Sequence, residues 1–121
     1  MTSMQINEAI TAFSQSEKIK AGLIWASQVV EIYNALPEED KPGAERIIKA
    51  IVDMIGNEIL ICKKSAPNEL WIDIEKNIET AAVMIHSKVV FEAGFHLTRA
   101  LSQVTTIGQR SMSILRDRGL L

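Results

Sequence analysis

The stretch KVVFEAGFHLTR, residues 88–99, decides the fold, because it sits in the longest part of the chain without a strong helix breaker. Pro67 is the last proline, and from there to Arg118 only Gly94 and Gly108 weaken a helical reading. The polar residues Lys88, Glu92, His96, Arg99, Gln103, Thr106, Arg110, Ser113 and Asp117 advance by threes and fours, covering 29 residues in eight steps. That is about 3.6 residues per step, the period of an uninterrupted α-helix. The spacing predicts one helix over 67–118, about 75 Å long. The alternative is a glycine cap at Gly94, with Phe95 packing back on the preceding turn, which would make four helices. Against it, Thr98 has no Glu or Gln three residues later to start a new helix.

The apolar seam moves along this segment. Leu70, Ile74, Ile78, Ala81 and Ile85 share one side; Val90, Ala93, Leu97, Leu101, Val104, Gly108 and Leu115 share another. At 100° per residue the two sides differ by roughly 120°. A compact domain of this size spans about 35 Å, so a rod of that length would overhang and expose its second half. Burying its five large apolar side chains, Leu97, Leu101, Val104, Ile107 and Leu115, is worth on the order of 10 kcal/mol before entropy. A second copy is the expected cover, because closed oligomers are mostly two-fold dimers. Val90, Ala93, Gly94, Leu97, Leu101, Val104 and Leu115 are therefore the expected interface, with Ala93, Gly94 and Ala100 small enough for close approach.

Upstream, the remaining prolines fall in LPEEDKPG (36–43), and with SAP (65–67) this divides the chain into three helical segments at about 3–35, 43–64 and 67–118. In the first, Thr2 with Gln5 forms a capping-box pattern, and Ser14 with Glu17 a second one; a continuous helix is expected, with a kink or restart at Ser14 as the alternative. Ile6, Ala9, Ile10 and Phe13 mark one face; Leu23, Ala26, Val30 and Tyr33 mark another. In the second, Asp40 before Pro42 suits a helix start. Ile47, Ile51, Ile55, Ile59 and Cys62 make its stripe, and Lys63 and Lys64 complement its C-terminal carbonyls. No Asn-Gly or Asp-Gly hairpin signal occurs. The fold class that follows is all-α: an antiparallel bundle of three long helices in a single domain, 1–121, completed by dimerisation.

The chain has 121 residues, 47% hydrophobic and 23% charged, with a net charge of −2, which argues against disorder and against a bulk field for nucleic acid or acidic membrane. The single cysteine, Cys62, excludes an internal disulfide and is expected as a buried, inert thiol on its apolar stripe. The start, MTSMQINEAI, carries no secretory pattern, and no run reaches a membrane span, so a cytoplasmic location is expected by elimination.

Candidate chemistry is sparse. Glu92 and His96, one turn apart, are possible ligands for Zn or Fe, but a carboxylate-bridged bundle site needs Glu-x-x-His on two helices, and that motif does not occur. The expected reading of Lys88, Glu92, His96 and Arg99 is a solvated stripe of helix-surface pairs. His86, on the apolar side, is expected in the core or an interface, as are Trp25, Trp71 and Tyr33. No nucleophile elbow or phosphate-binding glycine loop is present, so no catalytic residue and no cofactor is assigned. The expectation is a non-enzymatic interaction or regulatory module, a homodimer that docks to a partner protein. The alternatives are a metal- or small-molecule-binding bundle, and a nucleic-acid accessory protein using Arg99, Arg110, Arg116 and Arg118.

Overall fold

The chain turns back on itself at residues 87–89. The computed structural model describes residues 5–66 and 68–121, and among these it has four α-helices and no strand. They are α1 (Ile6–Asn34), α2 (Lys41–Ser65), α3 (Leu70–His86) and α4 (Val90–Asp117), with one 3-10 turn at Glu38–Asp40 before α2. Each helix packs on its neighbours in sequence, and α4 closes the ring on α1, in an up-and-down four-helix bundle.

The single helix expected over 67–118 is therefore two antiparallel helices, and the break lies six residues before Gly94. The stop is a Schellman cap. The Val89 N–H donates to the Met84 carbonyl at 2.8 Å and the Lys88 N–H to the Ile85 carbonyl at 3.0 Å, with Lys88 in the left-handed region at φ 67°. A lysine stands where glycine usually signals this cap. Gly94 lies inside α4, where a Cβ would meet Val30 of α1 at 3.8 Å. The polar period was blind to the turn because it began at Lys88; only its first step crosses the break. The 120° shift of the seam was the trace of the turn itself.

Two other stripes shift. On α2 the buried set is Ile48, Val52, Ile55, Ile59 and Cys62, while Ile47 is exposed and Ile51 half-buried. A run of four-residue steps drifts around a helix whose period is 3.6, whereas a bundle seam alternates threes and fours. On α1 the buried line runs unbroken through Ala9, Ala12, Ser16, Ile19, Leu23, Ala26, Val30 and Tyr33, and the helix neither kinks nor restarts at Ser14. Thr2 and Pro67 lie outside the described residues.

Antiparallel register is fixed at several points. Tyr33, Gly22 and Lys18 of α1 meet Glu45, Ile55 and Glu58 of α2. Ser16 and Val30 of α1 face Gly108 and Gly94 of α4. Lys63 of α2 bridges Glu75 of α3 at 3.1 Å. Trp71, fully buried, donates its indole N–H to the Ala66 carbonyl at 3.1 Å and pins the α2–α3 connection. Because α2 and α3 are shorter, α1 and α4 continue beyond them as a pair that buries Ala9, Ala12, Ser111 and Leu115. The tail ends in a second Schellman cap, with Gly119 at φ 72° and the Leu120 N–H donating to the Leu115 carbonyl at 2.8 Å.

Candidate interaction surface

The fold separates the four side chains of the stretch 88–99. Lys88 sits in the α3–α4 turn and, with Glu92, lines an open cleft of about 530 Å³ at one end of the bundle, opposite Tyr33, Lys41 and Glu45. Two pairs of polar groups in that cleft are committed to each other. The Tyr33 hydroxyl donates to Glu45 Oε1 at 2.7 Å, and Lys41 Nζ bridges Glu38 at 3.1 Å while standing 5.3 Å from the centre of the Tyr33 ring. The hydrogen bond to Glu45, then burial, then the negative charges of Glu45 and Glu38 push the Tyr33 phenol up to about 12. Such a phenol keeps its proton near neutral pH and acts there as a donor, not as a base.

His96 and Arg99 belong to the α3–α4 face. The Asn77 amide donates to Gln103 Oε1 at 3.0 Å, and its Oδ1 lies 3.2 Å from His96 Nδ1. Arg99 borders a shallow cleft with Asp73 and Lys76. Among the described residues, no three His, Cys, Asp or Glu side chains converge closely enough to hold a metal ion. Cys62 is fully buried, and burial, followed by the nearby Glu58 charge, raises its thiol to about 11, which suppresses the nucleophilic thiolate. His86, expected on an apolar face, is exposed as the last residue of α3.

The seven residues expected at an interface lie on the inner side of α4. Val90, Ala93, Leu97, Val104 and Leu115 are buried and Gly94 and Leu101 half-buried, with α1 and α3 of the same chain as cover. The overhanging rod that pointed to a second copy does not exist, because the turn at 87–89 folds α4 back along the bundle.

Apolar surface does remain in water, in a different place. Trp25 and Ile32 on α1 are 66% and 60% exposed, and Ile47, Met54 and Ile61 on α2 are 62%, 65% and 50% exposed. Within each helix these residues are seven apart, so they stack on one side, two turns from each other. The α1–α2 register sets Trp25 level with the Ile51–Met54 turn and Ile32 level with the Ala44–Ile47 turn. Half-buried Val29 and Ile51 lie at the same levels. A smaller exposed pair, Phe91 and Phe95 on α4, packs edge to face with ring centroids 5.6 Å apart. Sequence reasoning missed the α1–α2 face. Its signal was present in two pieces, as Trp25 with Ile32 and as Ile47, Met54 and Ile61 at seven-residue spacing, but only the fold sets them side by side. Among the described residues, no helix is long and apolar enough to cross a membrane. Compared with protein-family models, curated proteins and solved structures, the chain matches none.

Proposed function

We propose that this protein is a non-enzymatic helical-bundle module that works as a homodimer and docks to a partner protein. The observation that carries the reading is the apolar character of α1 on two sides. One side is spent on the bundle core, from Ala9 to Tyr33, and the other leaves Ile10, Trp25 and Ile32 exposed after the four helices have closed. A bundle that already buries its own core and still presents large side chains to water has a surface suited to protein contact. Two potentially reactive groups, the Tyr33 phenol and the Cys62 thiol, are both held in their protonated forms near neutral pH. The test is the mass in solution across a dilution series, measured by light scattering after size exclusion. Twice the 13.4 kDa chain mass at micromolar concentration supports the dimer; a constant chain mass at every concentration removes it.

A further inference from the structure

We infer that the second copy sits on the outer face formed by α1 and α2, and not on α4. The inference rests on the dimer reading above and names its surface. Three observations choose this face and this occupant.

The first is area. The exposed parts of Trp25, Ile32, Ile47, Met54 and Ile61 amount to roughly 600 Å² of mostly apolar surface. A rim of Ala21, Gln28, Val29 and Ile51 brings the face near the ~800 Å² that each partner contributes to a stable dimer of standard size. The Phe91–Phe95 pair alone offers far less.

The second is charge. Around the aromatic and aliphatic residues the face carries Ser14, Ala21, Gly22, Gln28, Ala50 and Asn57, all uncharged. The charges on it are Lys18 and Glu58, which bridge each other across the α1–α2 groove at 3.0 Å, and Lys64, at its edge beside Ile61. With its one central ion pair internally matched and its remaining charge at the edge, the face needs no opposite charge at its centre. It can meet an identical copy without like-charge repulsion, which an acidic or basic face cannot do.

The third is spacing. The same seven-residue interval on both helices makes two parallel rows separated by the groove above Val29 and Ile51. Rows at that interval seat helices packed nearly along one another. A two-fold axis presents the same two rows to themselves, as an isologous contact requires. Trp25, large and near the middle of the face, is its natural anchor.

The experiment compares the full chain with Trp25→Glu, Met54→Glu and the control double variant Phe91→Glu with Phe95→Glu, each checked for helical content by circular dichroism. All four positions are exposed, so each variant is expected to fold. On this inference, either α1–α2 variant raises the dimer dissociation constant by about thirtyfold or more, and the α4 variant leaves it unchanged. Acrylamide quenching of the unmodified protein locates the contact without a mutation. Trp71 is buried in both states, so the quenchable tryptophan at high dilution is Trp25, and it becomes protected as concentration rises. A dimer that survives both α1–α2 variants with Trp25 still quenchable overturns this surface and leaves the dimer reading standing. A monomer at every concentration overturns both.

Discussion

Lys88 carries more of the architecture than its composition suggests. At φ 67° it holds a conformation that costs an L-residue with a Cβ about 1–2 kcal/mol relative to glycine. The cap tolerates it because two backbone hydrogen bonds and the packing of α4 on α3 over-determine the turn. Lys88→Gly is therefore expected to stabilise the fold by about 1 kcal/mol in urea unfolding, after the greater freedom of glycine in the unfolded chain is counted. Lys88→Val, with a branched β-carbon, is expected to destabilise it. Tyr33 supplies a pH signature at the same scale. Its phenol is raised from 10.0 to about 12, so the folded state holds the proton more tightly than the unfolded chain. That contribution to stability is complete below pH 10 and lost as pH rises through about 12. Ultraviolet titration of the phenolate should place its midpoint near 12 in the native protein, and nearer 10 in Glu45→Gln, which removes the charged acceptor.

Between elements, the closest approach named by a glycine is that of α1 and α4. A Cβ on Gly108 would lie 2.9 Å from Ser16 Oγ, which the buried Ser16 directs to the Phe13 carbonyl at 2.9 Å. Gly108→Ala is expected to cost about 1–3 kcal/mol through this overlap, despite alanine's better helix propensity. Ser16→Ala in the same chain removes the clashing oxygen and should recover most of that loss. A double-mutant cycle by chemical denaturation measures the coupling, and purely additive effects would contradict the contact. Along α2, adjacent isoleucines separate the inner from the outer face. Ile48→Ala opens a cavity in a fully buried site and should cost about 2–5 kcal/mol. Ile47→Ala, at a position 62% exposed, should cost less than about 0.5 kcal/mol when measured in the Trp25→Glu background, designed to abolish the proposed pairing of the outer face. Equal costs would mean that the seam follows the run of four-residue steps after all.

As a whole molecule, the bundle is complete without a partner. Its core runs continuously from Ala12 through Ile107, and every helix has two neighbours. The proposed association would therefore be separable from folding, unlike in an obligate dimer whose protomer lacks a closed core. The Trp25→Glu chain is expected to keep the helical content of the unmodified protein and to unfold in one cooperative transition independent of protein concentration. Loss of helix on becoming monomeric would show that closure depends on the second copy.

Read alone, the amino-acid sequence determined that the protein is helical, where the first two helices lie to within a few residues, and that Cys62 is buried, because these follow from local periodicity and from proline placement. The α3–α4 turn escaped it. The same cap is written twice, once with Gly119 and once with Lys88, and only the glycine advertises a left-handed residue. The inner line of α2 was half legible, since Ile47 and Ile48 are chemically equal and only neighbouring helices choose between them. Tertiary structure alone decided what faces water: it turned the expected α4 interface into core and brought the separate rows of α1 and α2 together. The physical reason is that exposure is a property of what packs across a residue, and those partners stand far off in the chain, as Ser16 and Gly108 do.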